Sequence, residues 1–85
     1  MTVAAHFAAL AAFQAALSRL GRYRDLEEIA DLSARGQRRM VVYHLDPRHA
    51  DRYAEVMAEA GFTFTLDAPG TDEAGRVALS GVVSW

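Results

Sequence analysis

The residues best suited to chemistry lie in the segment His44-Leu-Asp-Pro-Arg-His49. Imidazole nitrogens and a carboxylate can bind a metal or transfer a proton, and His44, Asp46 and His49 lie close enough in sequence to act together. Asp followed by Pro is also a typical helix start, because the carboxylate caps free amides and proline has no N–H to lose. The pattern therefore favours structural roles, and we expect no catalytic group, metal or other cofactor.

Arginine forms the second group of interest, since all nine basic residues are Arg and none is Lys. Around the first predicted strand, guanidinium groups accompany an aromatic ring, a combination suited to phosphates and unstacked bases. This candidate partner-binding or nucleic-acid-binding set consists of Arg35, Arg38, Arg39, Tyr43, Arg48 and Arg52. Acids alternate with Arg48 and Arg52, as is typical of a salt-bridged, solvated helix face. The remaining three arginines form a patch for nucleic acid or an acidic protein surface, and the sequence does not choose between them.

Composition predicts the helices that position these groups, and glycine residues predict where those helices end. Residues 3–20 are rich in alanine and predict one helix, and residues 22–34 predict a second. Asp46-Pro47 begins a third predicted helix that runs to about residue 60. The expected stops are Gly21, Gly36 and Gly61.

Three strands are indicated by β-branched and aromatic residues over 39–45, 62–66 and 76–84. Alternation in the second strand directs Phe62, Phe64 and Leu66 toward the core. In the last strand Val77, Leu79 and Val83 alternate with Ala78, Ser80, Val82 and Ser84. Residues 67–75 are predicted to be a polar loop. Gly81 indicates a bulge or the close approach of another backbone.

The predicted order is α-α-β-α-β-β, an α+β fold in a single compact domain over residues 1–85. Residues 1–36 would form a helical hairpin and residues 37–85 a β-α-β-β unit. The β-α-β unit predicts parallel strands, and the last strand is apolar enough on both faces to lie between them, antiparallel to each. The resulting three-stranded mixed sheet looks like half of a ferredoxin-like sheet.

The first helix contains no charged residue between Val3 and Leu17. Its bulky side chains share an arc of roughly 140° at 100° per residue, which also contains His6 and Gln14, and the opposite side is almost entirely alanine. Such a smooth side either faces water at little cost or lies close to another helix, and we expect a second copy of the chain there. The predicted dimer interface consists of Ala4, Ala8, Ala12, Ala15 and Arg19. His6 is expected to be a hydrogen-bonded core or interface residue.

The run Arg24-Asp-Leu-Glu-Glu-Ile-Ala-Asp-Leu-Ser33 resembles the opening helix of many helix-turn-helix domains. That resemblance implies a recognition helix directly afterwards. Residues 38–43, Arg-Arg-Met-Val-Val-Tyr, have the composition of a strand instead, so the resemblance stops after about ten residues.

Composition narrows the function classes. A net charge of −2 argues against a strongly basic nucleic-acid coat, and the absence of Cys excludes disulfides and thiolate chemistry. We expect a cytoplasmic protein without a membrane segment. The leading expectation is a small, homodimeric, non-catalytic interaction protein that modulates a protein or a protein–nucleic acid complex. Its size and compactness suggest an inhibitor of a bacterial defence complex (anti-CRISPR-like), encoded by a phage or mobile element. The alternative is an arginine-based RNA- or DNA-binding module.

Overall fold

Three helices and a four-stranded sheet make up the protein in a computed structural model that describes residues 3–71 and 73–85. The described part excludes the side chains of Val3, Ala5, His6 and Phe7, so the predicted role of His6 lies outside it. The helices are α1 (Val3–Arg19), α2 (Arg24–Ala34) and α3 (Ala50–Glu59), and a 3-10 turn (Pro47–His49) precedes α3. The strands are β1 (Arg39–Leu45), β2 (Thr63–Leu66), β3 (Gly70–Thr71) and β4 (Val77–Ser84). This arrangement confirms the predicted α+β class.

The sheet has the order β1-β4-β2, and β4 is antiparallel to both neighbours, as predicted. Two details of the predicted sheet were wrong. Residues 70–71 form β3, which pairs with the start of β4, where a loop was expected. The predicted mixed sheet is also wrong, because all three strand pairs are antiparallel. The strands β1 and β2 run in the same direction, but β4 lies between them, so the sheet contains no parallel pair among the residues that the structure describes.

Each predicted helix stop is confirmed, and Gly61 illustrates why glycine is needed there. Its φ of 91° lies in the left-handed region, which glycine adopts without steric cost. The amide of Gly61 donates to the carbonyl of Ala58, and the amide of Phe62 donates to that of Met57. These bonds satisfy carbonyls that the end of α3 leaves free and turn the chain directly into β2.

The core lies between the helices and one face of the sheet, where α2 packs on β1 and α3 packs on β2. Its buried residues are Phe13, Leu17, Ile29, Met40, Val42, Leu45, Ala50, Tyr53, Val56, Met57, Leu79 and Val83. Leu66, which was expected to face the core, is exposed instead, and Val77 is exposed as well. Leu66 is the last residue of an edge strand and Val77 the first residue of β4, so each lacks neighbours on one side.

The register of β1 is irregular near its end. Val42 is opposite Gly81 and Leu45 is opposite Leu79, so β1 has one more residue than β4 over this interval. His44 accommodates the irregularity with a φ of 55°, a conformation that is uncommon outside glycine. As a result Met40, Val42 and Leu45 all reach the core, and both Tyr43 and His44 are exposed.

Gly81 confirms the predicted close approach of another backbone. A Cβ atom at this position would lie 2.6 Å from the carbonyl oxygen of Thr65 and 2.6 Å from the ring of Phe64. The ring also packs edge-on against Tyr53, with 5.1 Å between the two ring centroids. Glycine therefore makes room for an aromatic contact that joins the sheet to α3.

Candidate functional site

Asp46, in the middle of residues 44–49, acts as a cap. The carboxylate of Asp46 accepts hydrogen bonds from the backbone amide of Arg48 at 2.9 Å and from its guanidinium at 2.8 Å. The guanidinium bond and the amide bond lower the pKa of Asp46 to about 2. Across the residues that the structure describes, no three His, Asp or Glu side chains come together in a way that could hold a metal ion. Asp46 has the capping role that its sequence context predicts.

The predicted arginine set divides into paired and unpaired members. Arg48 pairs with Asp46, and Arg52 pairs with Glu55 and Glu59. These ion pairs are the ones that the acids close to Arg48 and Arg52 in the sequence indicate. Arg35 forms an exposed ion pair with Asp31 at 3.1 Å.

Arg38 and Arg39 have no ion-pair partner in the described part of the chain. Arg39 lies on the face of the sheet that points away from the helices, with Val41 and Tyr43 on the same side of β1. Tyr43 is 63% exposed, so its ring is available for contact. The sheet therefore presents two uncompensated cations and an aromatic ring at its β1 side.

The helix α1 is only partly covered by the rest of the molecule. Phe13 and Leu17 are buried in the core, but Leu10, one helical turn earlier, is 41% exposed. All five residues of the predicted dimer interface are exposed: Ala4, Ala8, Ala12, Ala15 and Arg19. Among the described side chains on the bulky side of α1, Phe13 and Leu17 therefore pack in the core and Leu10 does not.

An open groove of about 720 Å³ lies beside this helix, between α1 and α3. Its wall is mainly apolar, and charged side chains stand at the rim. Two predicted interface residues, Ala12 and Arg19, line it, whereas the other three lie elsewhere on α1. Its lining comprises Ala9, Leu10, Ala12, Phe13, Ala16, Arg19, Leu26, Arg52, Val56, Glu59, Ala60 and Phe62.

A buried polar network was not predicted from the sequence. The hydroxyl of Tyr53 donates to the carboxylate of Asp25 at 2.7 Å, and Arg22 Nε donates to the same carboxylate oxygen at 2.9 Å. The other end of the Arg22 guanidinium donates to the carbonyl of Tyr43 at 3.0 Å. The network therefore ties the start of α2 to α3 and to the irregular end of β1.

The buried hydroxyl of Tyr53 should make the free energy of unfolding depend on pH in the alkaline range. Burial, then the hydrogen bond to Asp25, raises the pKa of Tyr53 far above its ordinary value of 10.0. The stability that this hydroxyl contributes is fully present below pH 10, because the hydroxyl is then protonated in both the folded and the unfolded chain. At higher pH the unfolded chain loses this proton and the folded chain retains it, so the free energy of unfolding should fall by about 1.4 kcal/mol per pH unit. Urea unfolding between pH 8 and pH 11.5 measures this slope. Tyr53→Phe should remove this component, and an unchanged slope in the variant would contradict the assignment.

The described helices include none that could cross a membrane, since even α1 falls short of the length and hydropathy required. Comparisons of the chain with protein-family models, with curated proteins and with solved structures each found no match.

Proposed function

We propose that the chain is a small, non-catalytic interaction protein that forms a homodimer through α1 and binds another macromolecule through its sheet. The observation that carries the proposal is the alanine side of α1, on which Ala4, Ala8, Ala12 and Ala15 are all exposed. An inhibitor of a bacterial defence complex, which the small size suggests, would act in this way by occupying a surface of its target.

The dimensions of the chain support the presence of a partner that covers part of its surface. Its radius of gyration is 13.6 Å, compared with about 12 Å for a compact chain of 85 residues. Its accessible surface is 5931 Å², compared with roughly 5,000 Å² for a folded monomer of 9.3 kDa. The excess is similar to the roughly 800 Å² that one partner contributes to a standard interface.

A second copy is the occupant that fits α1 best. Over its described length the helix carries one charged residue, Arg19, so two antiparallel copies would meet without like-charge repulsion along most of their contact. Alanine side chains allow the two helices to approach closely. The same symmetric contact would also cover, in both copies, the side of the groove between α1 and α3 that Ala12 and Arg19 line.

The dimer is tested by charge substitution. Ala8→Glu with Ala12→Glu should convert a dimer into a folded monomer, because four carboxylates would be brought into one interface. Analytical ultracentrifugation measures the mass, and circular dichroism checks that the fold is retained. The matched control is Ala30→Glu with Ala34→Glu, an exposed pair at the same spacing on α2, which should remain dimeric. A monomeric unmutated chain, or a Glu variant that stays dimeric, would contradict the proposal.

A nucleic-acid-binding role is the second candidate, and the exposed ring of Tyr43 on the same strand as the unpaired Arg39 favours it. Only these residues, Arg35 and Arg38 remain in the candidate surface once Arg48 and Arg52 are assigned to their carboxylate partners. Titration with single- and double-stranded oligonucleotides at two salt concentrations tests this role. Binding should weaken steeply with salt and be lost in Arg38→Ala with Arg39→Ala.

A further inference from the structure

The strand β1 lies at an edge of the sheet, and its hydrogen-bonding pattern identifies which groups face outward. The amide of Trp85 donates to the carbonyl of Arg38 at 3.0 Å, which makes these two residues a hydrogen-bonded pair. Pairs alternate along an antiparallel ladder, so Met40 and Val42 also bond to β4. The amides and carbonyls of Arg39 and Val41 therefore point to the free edge.

The outward amides and carbonyls of Arg39 and Val41 have no backbone partner in the described part of the chain. The next carbonyl on this edge, that of Tyr43, accepts a hydrogen bond from a side chain. Arg22 donates to the carbonyl of Tyr43 at 3.0 Å, as expected for a carbonyl that faces away from β4. The irregularity at His44 then ends the regular strand. The open edge is consequently short, limited to residues 39–41, and contains neither the proline nor the bulge that commonly protects an edge.

The charge around this edge selects the partner. Neither Arg38 nor Arg39 has an ion-pair partner among the described residues. Pairing two copies of β1 over residues 39–41 would place the two Arg39 side chains diagonally adjacent on one face, which like charges disfavour. An acidic strand would instead neutralise both arginines.

We propose that the free edge of β1 binds an extended acidic segment of a partner protein as an added strand. The segment would exchange backbone hydrogen bonds with Arg39 and Val41. Carboxylates on its outward face would pair with Arg39, on the face of β1 that also carries the exposed ring of Tyr43. This inference rests on the proposed role in macromolecular binding but is independent of the α1 dimer.

The test uses synthetic peptides in which Glu alternates with Val, with Lys replacing Glu in the control peptide. Titration into the ¹⁵N-labelled full chain should shift the amide signals of Arg39 and Val41 and protect them from hydrogen exchange. The acidic peptide should bind at least ten times more tightly than the Lys peptide. N-methylation of the peptide backbone on the side facing β1 should abolish binding.

Two variants separate backbone pairing from charge. Val41→Pro removes an outward amide without removing a bond to β4 and should eliminate binding, whereas Val41→Thr retains the amide and should bind normally. Arg38→Ala with Arg39→Ala should weaken binding at least tenfold and reduce its salt dependence. If Val41→Pro is unfolded, the N-methylated peptide provides the same test on the unmutated chain.

Three outcomes would overturn the inference. They are the absence of an amide shift at Arg39 and Val41, binding of the Lys or the N-methylated peptide as tight as that of the acidic peptide, and preferential binding of a single-stranded oligonucleotide. The last outcome would favour the nucleic-acid role instead. If the acidic peptide does not bind but the chain is a dimer that the Glu substitutions in α1 dissociate, only this inference is rejected. A chain that stays monomeric but binds the acidic peptide would reject only the dimer.

Discussion

Gly81→Ala should lower the free energy of unfolding by about 3 kcal/mol, at the upper end of what overpacking usually costs. The new methyl group would overlap the ring of Phe64 and the carbonyl oxygen of Thr65, each 2.6 Å from its position. A ring can turn aside, but the carbonyl belongs to the backbone of β2, which is held in register with β4. Relief of the overlap therefore requires two strands to separate locally.

Urea unfolding followed by the fluorescence of Trp85 measures this change. Gly70→Ala is the matched control, because a Cβ atom there meets no atom within 4 Å and its φ is not positive. We expect the control to change stability by less than about 0.5 kcal/mol. Equal effects of the two substitutions would show that β2 and β4 are not packed as closely as described.

Asp25→Ala should be comparably destabilising, by about 3 kcal/mol, because it removes the shared acceptor of two side chains. The hydroxyl of Tyr53, a residue that is 0% exposed, would lose its partner at 2.7 Å. The guanidinium of Arg22, which is mostly buried, would lose its counter-charge. Leaving a buried charge uncompensated typically costs about 3–5 kcal/mol, and the partial exposure of Arg22 places our value at the low end.

Asp31→Ala is the control for this substitution, since it removes an exposed ion pair with Arg35 in the same helix. Exposed pairs contribute about 0–1 kcal/mol, so the control should remain close to the unmutated protein in chemical denaturation. A double-mutant cycle with Tyr53→Phe should be non-additive, because both substitutions break the same hydrogen bond. Additive effects would mean that Asp25 and Tyr53 act independently.

Local patterns in the sequence were sufficient to predict most of the fold. The bounds of β1 follow from its run of β-branched and aromatic residues, and the central position of β4 follows from its apolar character on both faces. Glycine predicted the three helix ends because only the left-handed conformation completes the terminal hydrogen bonds.

Features that depend on tertiary neighbours were not predictable in the same way. Asp25 and Tyr53 are 28 residues apart, and nothing near either residue indicates the other. The extra residue in β1 has no glycine to mark it, since His44 adopts the left-handed conformation itself. Part of the candidate surface was predictable, because the acids near Arg48 and Arg52 already indicated ion pairs. The open edge required the strand order and the register.

The irregularity in β1 also bears on how this chain can change length over evolution. Deleting one residue from a strand normally turns every later side chain to the opposite face. Loss of His44 would instead place Tyr43 directly before Leu45 and match the two-residue step from Gly81 to Leu79 on β4. Leu45 would keep its inward direction, and the left-handed conformation would no longer be needed. Positions 43 and 44 are therefore where a single-residue deletion removes the extra residue of β1 and regularises the sheet rather than inverting it.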